Sequence, residues 1–427
     1  MAATQDFDLL CINTIRTLSI DAVQAANSGH PGTPMALAPL VYTLWNRVMR
    51  FDPKDPIWPN RDRFVLSNGH ASMLLWSVLH LTGTQAVNTE YEIVGKPAVT
   101  LDDIRHFRQF GSKAPGHPEY HLVSGVEATT GPLGQGIAMS VGMAIAERWL
   151  EANYNRPGFD VFDYDIYAVC GDGCLMEGVG SEAASLAGHL GLDNLCWIYD
   201  NNHITIEGKT DIAFTEDVAG RFLAYGWNVV RVGDANDLDR IENALRNAAG
   251  TTGRPSIVIV DSHIGYGSPH RQDTSAAHGE PLGEEEIKLV KQAYGWPPDA
   301  KFLVPSGVYE HLESGIGRCF YEHEPSVGTE RCFPASRLGQ LSVTVLDSPT
   351  RQQSGKYLVG RAEQGSTGHD MVAGLQQGGK GRKHRRHTRG SRHAVRRAFE
   401  PADLLNEFVY VRVRVPAVNV ALDLFGE

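Results

Sequence analysis

The 427-residue sequence lacks any apolar run of about 18 residues, the length that crosses a bilayer as a helix. Its six cysteines are scattered without CxxC pairs, which excludes a disulfide framework and gives no zinc-finger spacing. We interpret them as reduced thiols of a cytoplasmic protein. The amino terminus has neither a basic segment nor a contiguous apolar stretch, so we do not expect a secretory signal. These absences predict a globular protein without a membrane partner.

Positive charge is scarce over most of the chain. The sequence has 39 Lys and Arg against 50 Asp and Glu, a net charge of −11. Nine of the basic residues and no acidic one lie between Lys380 and Arg397, so the other 30 face 50 acidic residues, a balance of −20. The basic cluster has an alternative interpretation as a nucleic-acid-binding arm. Because it lacks interleaved aromatic residues on which bases stack, we predict no nucleic-acid partner.

Short apolar runs alternate with helical patterns in the middle of the chain. The runs at 165–170 and 194–199 are continuous rather than alternating, and residues 238–249 have helical spacing. Strands with this pattern are buried on both faces. The sequence therefore predicts an α/β fold in which a parallel sheet is flanked by helices.

The regular pattern ends near residue 318. Residues 1–318 read as one α/β domain, whereas 319–427 show no sustained period and include a stretch nearly free of apolar residues. Only residues 408–411 and 418–424 of this tail have the composition of strands. We predict a domain boundary at that point and an irregular, basic tail after it.

Polar residues follow two consecutive predicted strands. Gly171-Asp172-Gly173 comes after the first and Asp200-Asn201-Asn202 after the second. Ligands of parallel sheets bind beyond the carboxyl ends of the strands. Carboxylate and amide oxygens suit Mg²⁺ or Ca²⁺, and the glycines let a diphosphate approach the backbone. The alternative is an Asp-Gly turn that caps the next helix, but the repetition of the pattern favours a metal site.

A glycine-rich loop, Thr129–Gly136, precedes a helical pattern at 137–150. Free N–H groups and the dipole at a helix N-terminus favour phosphate. A tight turn that only packs the helix is the alternative. The glycine spacing is not that of dinucleotide-binding loops.

Four histidines, His30, His70, His117 and His278, lie in turns rich in glycine and proline. Imidazole can bind sugar hydroxyls or move protons near neutral pH, so their convergence would form a site. The alternative is that each only stabilises its turn. No pair has the local spacing of zinc ligands.

Eight sequence blocks resemble the transketolase family in its order and approximate spacing, and they cover roughly residues 5–317. The blocks are NSGHPG (27–32), RDRFVLSNGHAS (61–72), APGHPE (114–119), TTGPLGQG (129–136), GDGCLMEG (171–178), YDNNHITIEG (199–208), IGYGSPH (264–270) and HGEPL (278–282).

The resemblance implies an enzyme that uses thiamine diphosphate to transfer a two-carbon ketol unit between sugar phosphates. An example is transfer from xylulose 5-phosphate to ribose 5-phosphate, in the pentose phosphate pathway or the Calvin cycle. It also implies a cytoplasmic homodimer for the intact protein.

The resemblance also assigns roles to residues of this sequence. A divalent cation, usually Mg²⁺ with Ca²⁺ or Mn²⁺ as alternatives, would be held by Asp172, the Asn202 side chain and the Ile204 carbonyl. Catalytic and substrate-facing roles fall to His30 and His278, and His117 would line the same cleft. Contacts to the cofactor are implied for His70, Gly131, Pro132, Leu133, Gly173, Asn202 and His278.

The sequence departs from the family after the first domain. Transketolases continue with a pyrimidine-binding domain, whose glutamate activates the cofactor and whose cationic residues bind substrate phosphate. Neither set is recognisable after residue 318. We hypothesise that the chain beyond about Gly317 is a frame-shifted continuation that ends early. Reading the coding DNA in all three frames tests this hypothesis, which fails if no other frame resumes the family's sequence.

Two other functions stay open on the sequence. In the first, the chain as it stands is a catalytically silent fragment that only binds the cofactor. In the second, it belongs to a dihydroxyacetone synthase, which shares these motifs.

Overall fold

The computed structural model describes residues 6–316, 342–343, 411–415 and 418–421. The chain divides into two units, Met1–Gly328 and Thr329–Glu427, which are described separately. The predicted boundary near residue 318 and the predictions for 319–427 lie almost wholly outside the described residues.

Eleven α-helices lie within residues 6–316, and a π-helical turn at Leu44–Val48 extends the second. They are α1 (Phe7–Ala26), α2 (Gly32–Thr43), α3 (Ser72–Leu81), α4 (Leu101–Arg105), α5 (Gln135–Tyr154), α6 (Asp172–Met176), α7 (Gly178–Leu190), α8 (Val218–Ala224), α9 (Leu238–Ala249), α10 (Glu284–Ala293) and α11 (Val308–Gly315).

Nine strands accompany these helices in the same range. They are β1 (Arg63–Leu66), β2 (Gln85–Val87), β3 (Ile93–Pro97), β4 (Ile166–Gly171), β5 (Leu195–Asn201), β6 (Ile204–Thr205), β7 (Gly208–Lys209), β8 (Asn228–Val232) and β9 (Ser256–Asp261). Five of them form a parallel sheet in the order β1-β4-β5-β9-β8, and β2-β3 and β6-β7 are antiparallel pairs.

Both faces of the parallel sheet are covered by helices, as the sequence predicts. Tyr167 and Val169 of β4 belong to the apolar cluster that includes α1, α2, α3 and α9. Ile166, Ala168 and Cys170 of the same strand belong to the cluster that includes α5, α7 and α8. Successive residues of a strand point to opposite faces, so a strand covered on both sides has a continuous apolar sequence.

Two glycine-rich breaks position the loops of the site. Helix α1 is capped at its start by Asp6, whose side chain accepts from the Leu9 amide, and at its end by Asn27, which lies in the left-handed region at φ 48°. Helix α5 begins after Gly134, whose φ of 80° favours glycine. The chain therefore turns sharply just before His30 and just before the first turn of α5.

Two local expectations differ from the structure. The predicted break of the second strand at Asp200 is wrong by two residues, because β5 continues through Asn201 as the parallel partner of β9. The β2–β3 hairpin escaped prediction because its exposed strand β3 lacks an alternating apolar pattern.

The second unit contains a three-stranded antiparallel sheet of β10 (Ser342–Val343), β11 (Val411–Val415) and β12 (Val418–Ala421). The strand predictions for the tail are met in part: β12 matches the first four residues of the strand predicted at 418–424, whose last three lie outside the described residues, and the strand predicted at 408–411 overlaps β11 only at Val411. In the described part of the chain, no helix is long and apolar enough to cross a membrane.

Candidate functional site

The predicted polar residues meet at the carboxyl edge of the parallel sheet. Gly171, at the end of β4, lies opposite Asp200 on β5, and Asn201 lies opposite Asp261 on β9. Asp172 and Asn202 therefore leave neighbouring strands at the same edge, where ligands of such sheets bind.

Asp172 is a buried carboxylate with one oxygen unused. The Tyr199 hydroxyl donates to its Oδ1 at 2.5 Å, and the side chain is only 4% exposed. Its Oδ2 is buried and has no hydrogen-bond partner among the described residues. Burial raises the pKa of Asp172. A buried, unpartnered carboxylate oxygen is costly, so this position suits a cation.

A second buried carboxylate, Asp200, orients Asn202. The Asn202 Nδ2 donates to Asp200 Oδ2 at 2.7 Å, and its Oδ1 accepts from the Ile204 amide at 2.9 Å. Ser262 donates to Asp200 Oδ1 at 2.5 Å. Burial, reinforced by the charge of Asp172, raises the pKa of Asp200 to about 7. The region therefore holds two buried carboxyl groups whose ionised forms a cation would stabilise.

The glycine-rich loop lies against the other site loops. A Cβ atom on Gly131, whose φ is 154°, would lie 3.4 Å from Cδ2 of His117. One on Gly173 would lie 2.8 Å from Cδ1 of Leu133. The Pro132 carbonyl accepts from the Gln135 amide at 3.3 Å in the first turn of α5. The structure therefore brings the predicted cofactor loop next to the turn that carries Asp172.

Three of the four predicted histidines form a cluster. The ring centroids are 4.8 Å apart for His30 and His70, 5.0 Å for His70 and His278, and 5.7 Å for His30 and His278. All three rings are partly buried. His117 lies at the side of this cluster, against Gly131.

The histidines are held in their neutral form. Burial is the main cause that lowers the pKa of His30 to about 4, and the neighbouring His278 and Arg108 add to it. Burial also lowers the pKa values of His70, His117 and His278. The His30 Nδ1 lies 3.1 Å from the His278 carbonyl oxygen, which can only accept, so Nδ1 carries the proton and Nε2 is an acceptor.

Sequence reasoning missed Arg108 as a site residue. Its guanidinium donates from Nη1 to the Ser28 hydroxyl at 2.7 Å, while within the described residues its buried Nε has no partner. Its backbone is in the left-handed region at φ 61°, which is strained for a residue with a side chain. Its charge contributes to the low pKa values of His30 and His117.

A cavity of about 260 Å³ adjoins the candidate metal ligands. It is lined by Asn202, His203, Ile204, Lys209, Thr210, Asp211 and Asp273. A larger surface concavity of about 590 Å³ lies along α7 and contains none of the predicted site residues. Of these two concavities, only the smaller one is lined by predicted metal ligands, Asn202 and Ile204.

Known sequences and a known protein family resemble the first unit of this chain. A family model described as "Transketolase, thiamine diphosphate binding domain" matches residues 7–320. A transketolase of Geobacillus stearothermophilus is 54% identical over 307 residues, which are 72% of this chain and 44% of the relative. A transketolase of Bacillus subtilis is 53% identical over 305 residues, 71% of this chain and 44% of the relative. This chain thus spans a little under half the length of these relatives.

Solved structures give the same result. A transketolase from Pichia stipitis in complex with sedoheptulose 7-phosphate is 48% identical with a TM-score of 0.68, over 73% of this chain and 44% of that one. A transketolase from Leishmania mexicana is 44% identical with a TM-score of 0.69, over 75% of this chain and 46% of that one.

Proposed function

Because this chain belongs to the transketolase family through its thiamine diphosphate binding domain, we propose that residues 6–316 bind thiamine diphosphate together with a divalent cation. The observation that carries the proposal is the Oδ2 atom of Asp172, which is buried with no partner in the described part of the chain. The nearby Asp200 adds a second buried carboxylate. A divalent cation would compensate this charge and attract a diphosphate.

The residues present fit the metal. Asp172 Oδ2, the Asn202 Oδ1 and the Ile204 carbonyl would supply three hard oxygen ligands, which suit Mg²⁺, with Ca²⁺ or Mn²⁺ as alternatives. The Asn202 Oδ1 accepts one hydrogen bond, from the Ile204 amide, and keeps a second lone pair. Because the Asn202 Nδ2 donates to Asp200, the Asn202 Oδ1 points away from Asp200.

The glycine-rich loop and two histidines would hold the cofactor. Gly173 and the loop of Gly131, Pro132 and Leu133 leave backbone free for close approach, and His70 and His278 lie beside it. When bound, thiamine diphosphate supplies the nucleophilic carbon and the electron sink for carbon–carbon chemistry. The chain's own contribution is to hold the diphosphate and to place neutral imidazoles around the reacting end.

Proton movement falls to the histidine cluster. His30 is neutral at physiological pH and has its Nε2 available, so it accepts a proton from a sugar hydroxyl and returns it. Within the described residues His278 Nδ1 has no partner, which makes it the second nitrogen able to bind a substrate oxygen. His117, with its ring against Gly131, lines the same cleft for the sugar chain.

The intact protein then catalyses a reversible ketol transfer between a ketose phosphate such as xylulose 5-phosphate and an aldose phosphate such as ribose 5-phosphate. The relative in complex with sedoheptulose 7-phosphate supports sugar phosphates as the substrate class. Such a transferase would serve the pentose phosphate pathway or the Calvin cycle. Free, buried thiols at Cys11, Cys170, Cys174 and Cys196 fit a reducing compartment, in support of a cytoplasmic location.

An exposed apolar face supports a homodimer for the intact protein. Six large apolar side chains on the packed pair α5 and α7 are more than one third exposed, and an apolar surface of this kind typically marks an interface. They are Met139, Ile145, Trp149, Val179, Leu186 and Leu190. Sedimentation should show concentration-dependent dimers that Trp149→Glu weakens and Leu9→Glu on α1 leaves unchanged. A monomer at every concentration would contradict the proposal that this face is a dimer interface.

Turnover of the 427-residue chain tests the whole activity. A coupled assay with xylulose 5-phosphate, ribose 5-phosphate, thiamine diphosphate and Mg²⁺ should give appreciable rates only if the residues needed after the first domain are present. Turnover near that of the relatives would refute the hypothesis of a corrupted continuation. Absent turnover together with cofactor binding would identify a catalytically silent fragment.

Cofactor binding tests the site itself. Thiamine diphosphate with Mg²⁺ should raise the Tm of the chain by a concentration-dependent amount, since a ligand of the folded state stabilises it. Asp172→Ala should abolish the effect, while Asp211→Ala, at an exposed acid of the same cavity, should keep it. Stabilisation that persists in Asp172→Ala would show that the metal is misplaced.

A further inference from the structure

Three imidazoles from distant turns form a group of metal-binding side chains in the described residues. One nitrogen each of His30, His70 and His278 lies within 4.8 Å of the others. The three residues come from the turn after α1, the turn after β1 and the turn before α10. Local spacing along the chain gives no sign of this group, because each ligand is contributed by a different loop.

Two of the three rings already have a defined free nitrogen. His30 donates from Nδ1 to the His278 carbonyl at 3.1 Å, which leaves the lone pair of Nε2 available. The His278 Nδ1 is buried and has no hydrogen-bond partner within the described residues. Metal-binding histidines commonly donate their other N–H to a carbonyl, as His30 does.

The separations suit a tetrahedral ion after a small adjustment. Zinc–nitrogen bonds are about 2.0–2.1 Å, which places ligand nitrogens of a tetrahedral site about 3.3 Å apart. Nitrogens that lie within 4.8 Å reach this separation when the rings move by about 1 Å. Neutral imidazoles bind Zn²⁺, Co²⁺, Ni²⁺ and Cu²⁺, whereas Mg²⁺ and Ca²⁺ require oxygen.

We propose that His30, His70 and His278 form a transition-metal site for an ion such as Zn²⁺, distinct from the oxygen-ligand site at Asp172. Three protein ligands leave the fourth position to water. The ion occupies the free nitrogens of His30 and His278, so it would act as a reversible inhibitor. That consequence rests on the proposed function, whereas metal binding itself does not.

The charge of Arg108 opposes a cation at this site. Its guanidinium is close enough to affect His30 and His70 electrostatically and is held by Ser28. Removing that charge in Arg108→Gln should therefore tighten metal binding by a few fold. This variant should raise the metal affinity, whereas the removal of a histidine ligand should lower it.

Cobalt is the probe that reports both binding and geometry. The full 427-residue chain, stripped of metal and cofactor, is titrated with Co²⁺ while its visible absorbance is recorded. We expect one equivalent to give the intense bands of tetrahedral Co²⁺. An equivalent of Zn²⁺ should bleach them, whereas a large excess of Mg²⁺ should not.

Matched variants assign the ligands. His70→Gln and His278→Gln should each weaken Co²⁺ binding at least about tenfold, because loss of even an indirect partner of a metal ligand costs about 10–100-fold. His117 lies in the same cleft but outside the group, so the Co²⁺ affinity of His117→Gln should stay within about twofold of wild type. Circular dichroism shows that each variant is folded, and Asp172→Ala should keep its Co²⁺ affinity.

Two results would overturn the proposal. The first is the absence of a saturable tetrahedral spectrum in the folded chain. The second is tetrahedral binding that survives in the His70→Gln/His278→Gln double variant, which would place the ion on others of the 17 histidines. Neither result affects the stabilisation by thiamine diphosphate and Mg²⁺, so failure here is separable from failure of the proposed function.

Discussion

The hydroxyl of Tyr199 holds Oδ1 of Asp172 at 2.5 Å, so only the second oxygen of this buried carboxylate is left for a ligand. The donor lies on β5, and the acceptor is the first residue of α6, directly after β4, so the neighbouring strand of the sheet fixes the orientation of the proposed metal ligand.

Tyr199→Phe should weaken the metal site while keeping its ligands. Because loss of an indirect partner costs about 10–100-fold in metal affinity, we expect the Mg²⁺ concentration for half-maximal stabilisation by thiamine diphosphate to rise about tenfold. Titrations of Tm against Mg²⁺ measure this. Tyr225→Phe, at the end of α8, is the matched control. Equal Mg²⁺ requirements for Tyr199→Phe and wild type would contradict a role for the tyrosine.

Gly173→Ala should separate cofactor binding from stability. The added methyl group meets the Cδ1 end of Leu133 at 2.8 Å, and a flexible side chain can move away. We expect a loss of about 1 kcal/mol in unfolding free energy, at the low end for an added methyl group, but at least tenfold weaker thiamine diphosphate binding, measured by calorimetry. Adding Leu133→Ala should relieve the crowding without restoring affinity. Restored affinity would mean that crowding of Leu133, not approach of the diphosphate, is what matters.

A buried ion pair joins α1 to α10 and is open to a stability test. Lys291 donates to Asp21 Oδ1 at 2.5 Å, and both side chains are almost fully buried. Lys291→Met should cost about 3–5 kcal/mol because it leaves a buried charge without its partner. Asp21→Leu/Lys291→Met should recover most of this loss in urea unfolding. A double variant as unstable as Lys291→Met would show that the loss of stability does not come from the unpaired charge of Asp21.

Glu147 predicts a pH dependence of stability. Burial raises its pKa from 4.5 to about 7, although Asn194 donates to it at 2.7 Å. The folded protein therefore binds this proton more tightly than the unfolded chain does. The resulting stability is present below pH 4.5 and is lost as pH rises through 7.

Glu147→Gln removes this titration and keeps an acceptor for Asn194. We expect the variant to exceed wild type by about 1–2 kcal/mol at pH 8 and to match it near pH 5. Unfolding at the two pH values measures the difference, with the exposed Glu90→Gln as control. If the stability difference between Glu147→Gln and wild type is the same at both pH values, it does not come from the titration of Glu147.

Much of the fold was predictable because the spacing of apolar residues indicates where the helices and the central strands lie. The helix expected at 238–249 has those bounds in α9, and the continuous runs became the central strands β4 and β5. Asp172 and Asn202 were predictable as neighbours because carboxyl ends of adjacent parallel strands share an edge. Their oxygen chemistry favours a metal site, which stays a prediction.

The rest of the site depends on packing that a sequence does not display. Asp200 looked like part of a turn, and only the strand pairing shows that it is buried and holds Asn202. Arg108 approaches the histidines through a left-handed backbone that no local motif signals. The same limit applied to the histidines, whose local spacing argued against zinc although three of them meet in space.

The contact between Asp8 and His311 ties the first helix to the last described helix of the α/β unit. The His311 Nε2 lies 3.1 Å from Asp8 Oδ1 and 2.9 Å from the Tyr42 hydroxyl, across 303 residues of chain for the first pair. At about 5–20 residues per second, a ribosome needs about 15–60 seconds to make the intervening chain. During that time α1 can pack against α2 and α3 but lacks its contact with α11. The Asp8 carboxylate is therefore without its His311 partner until α11 has been synthesised.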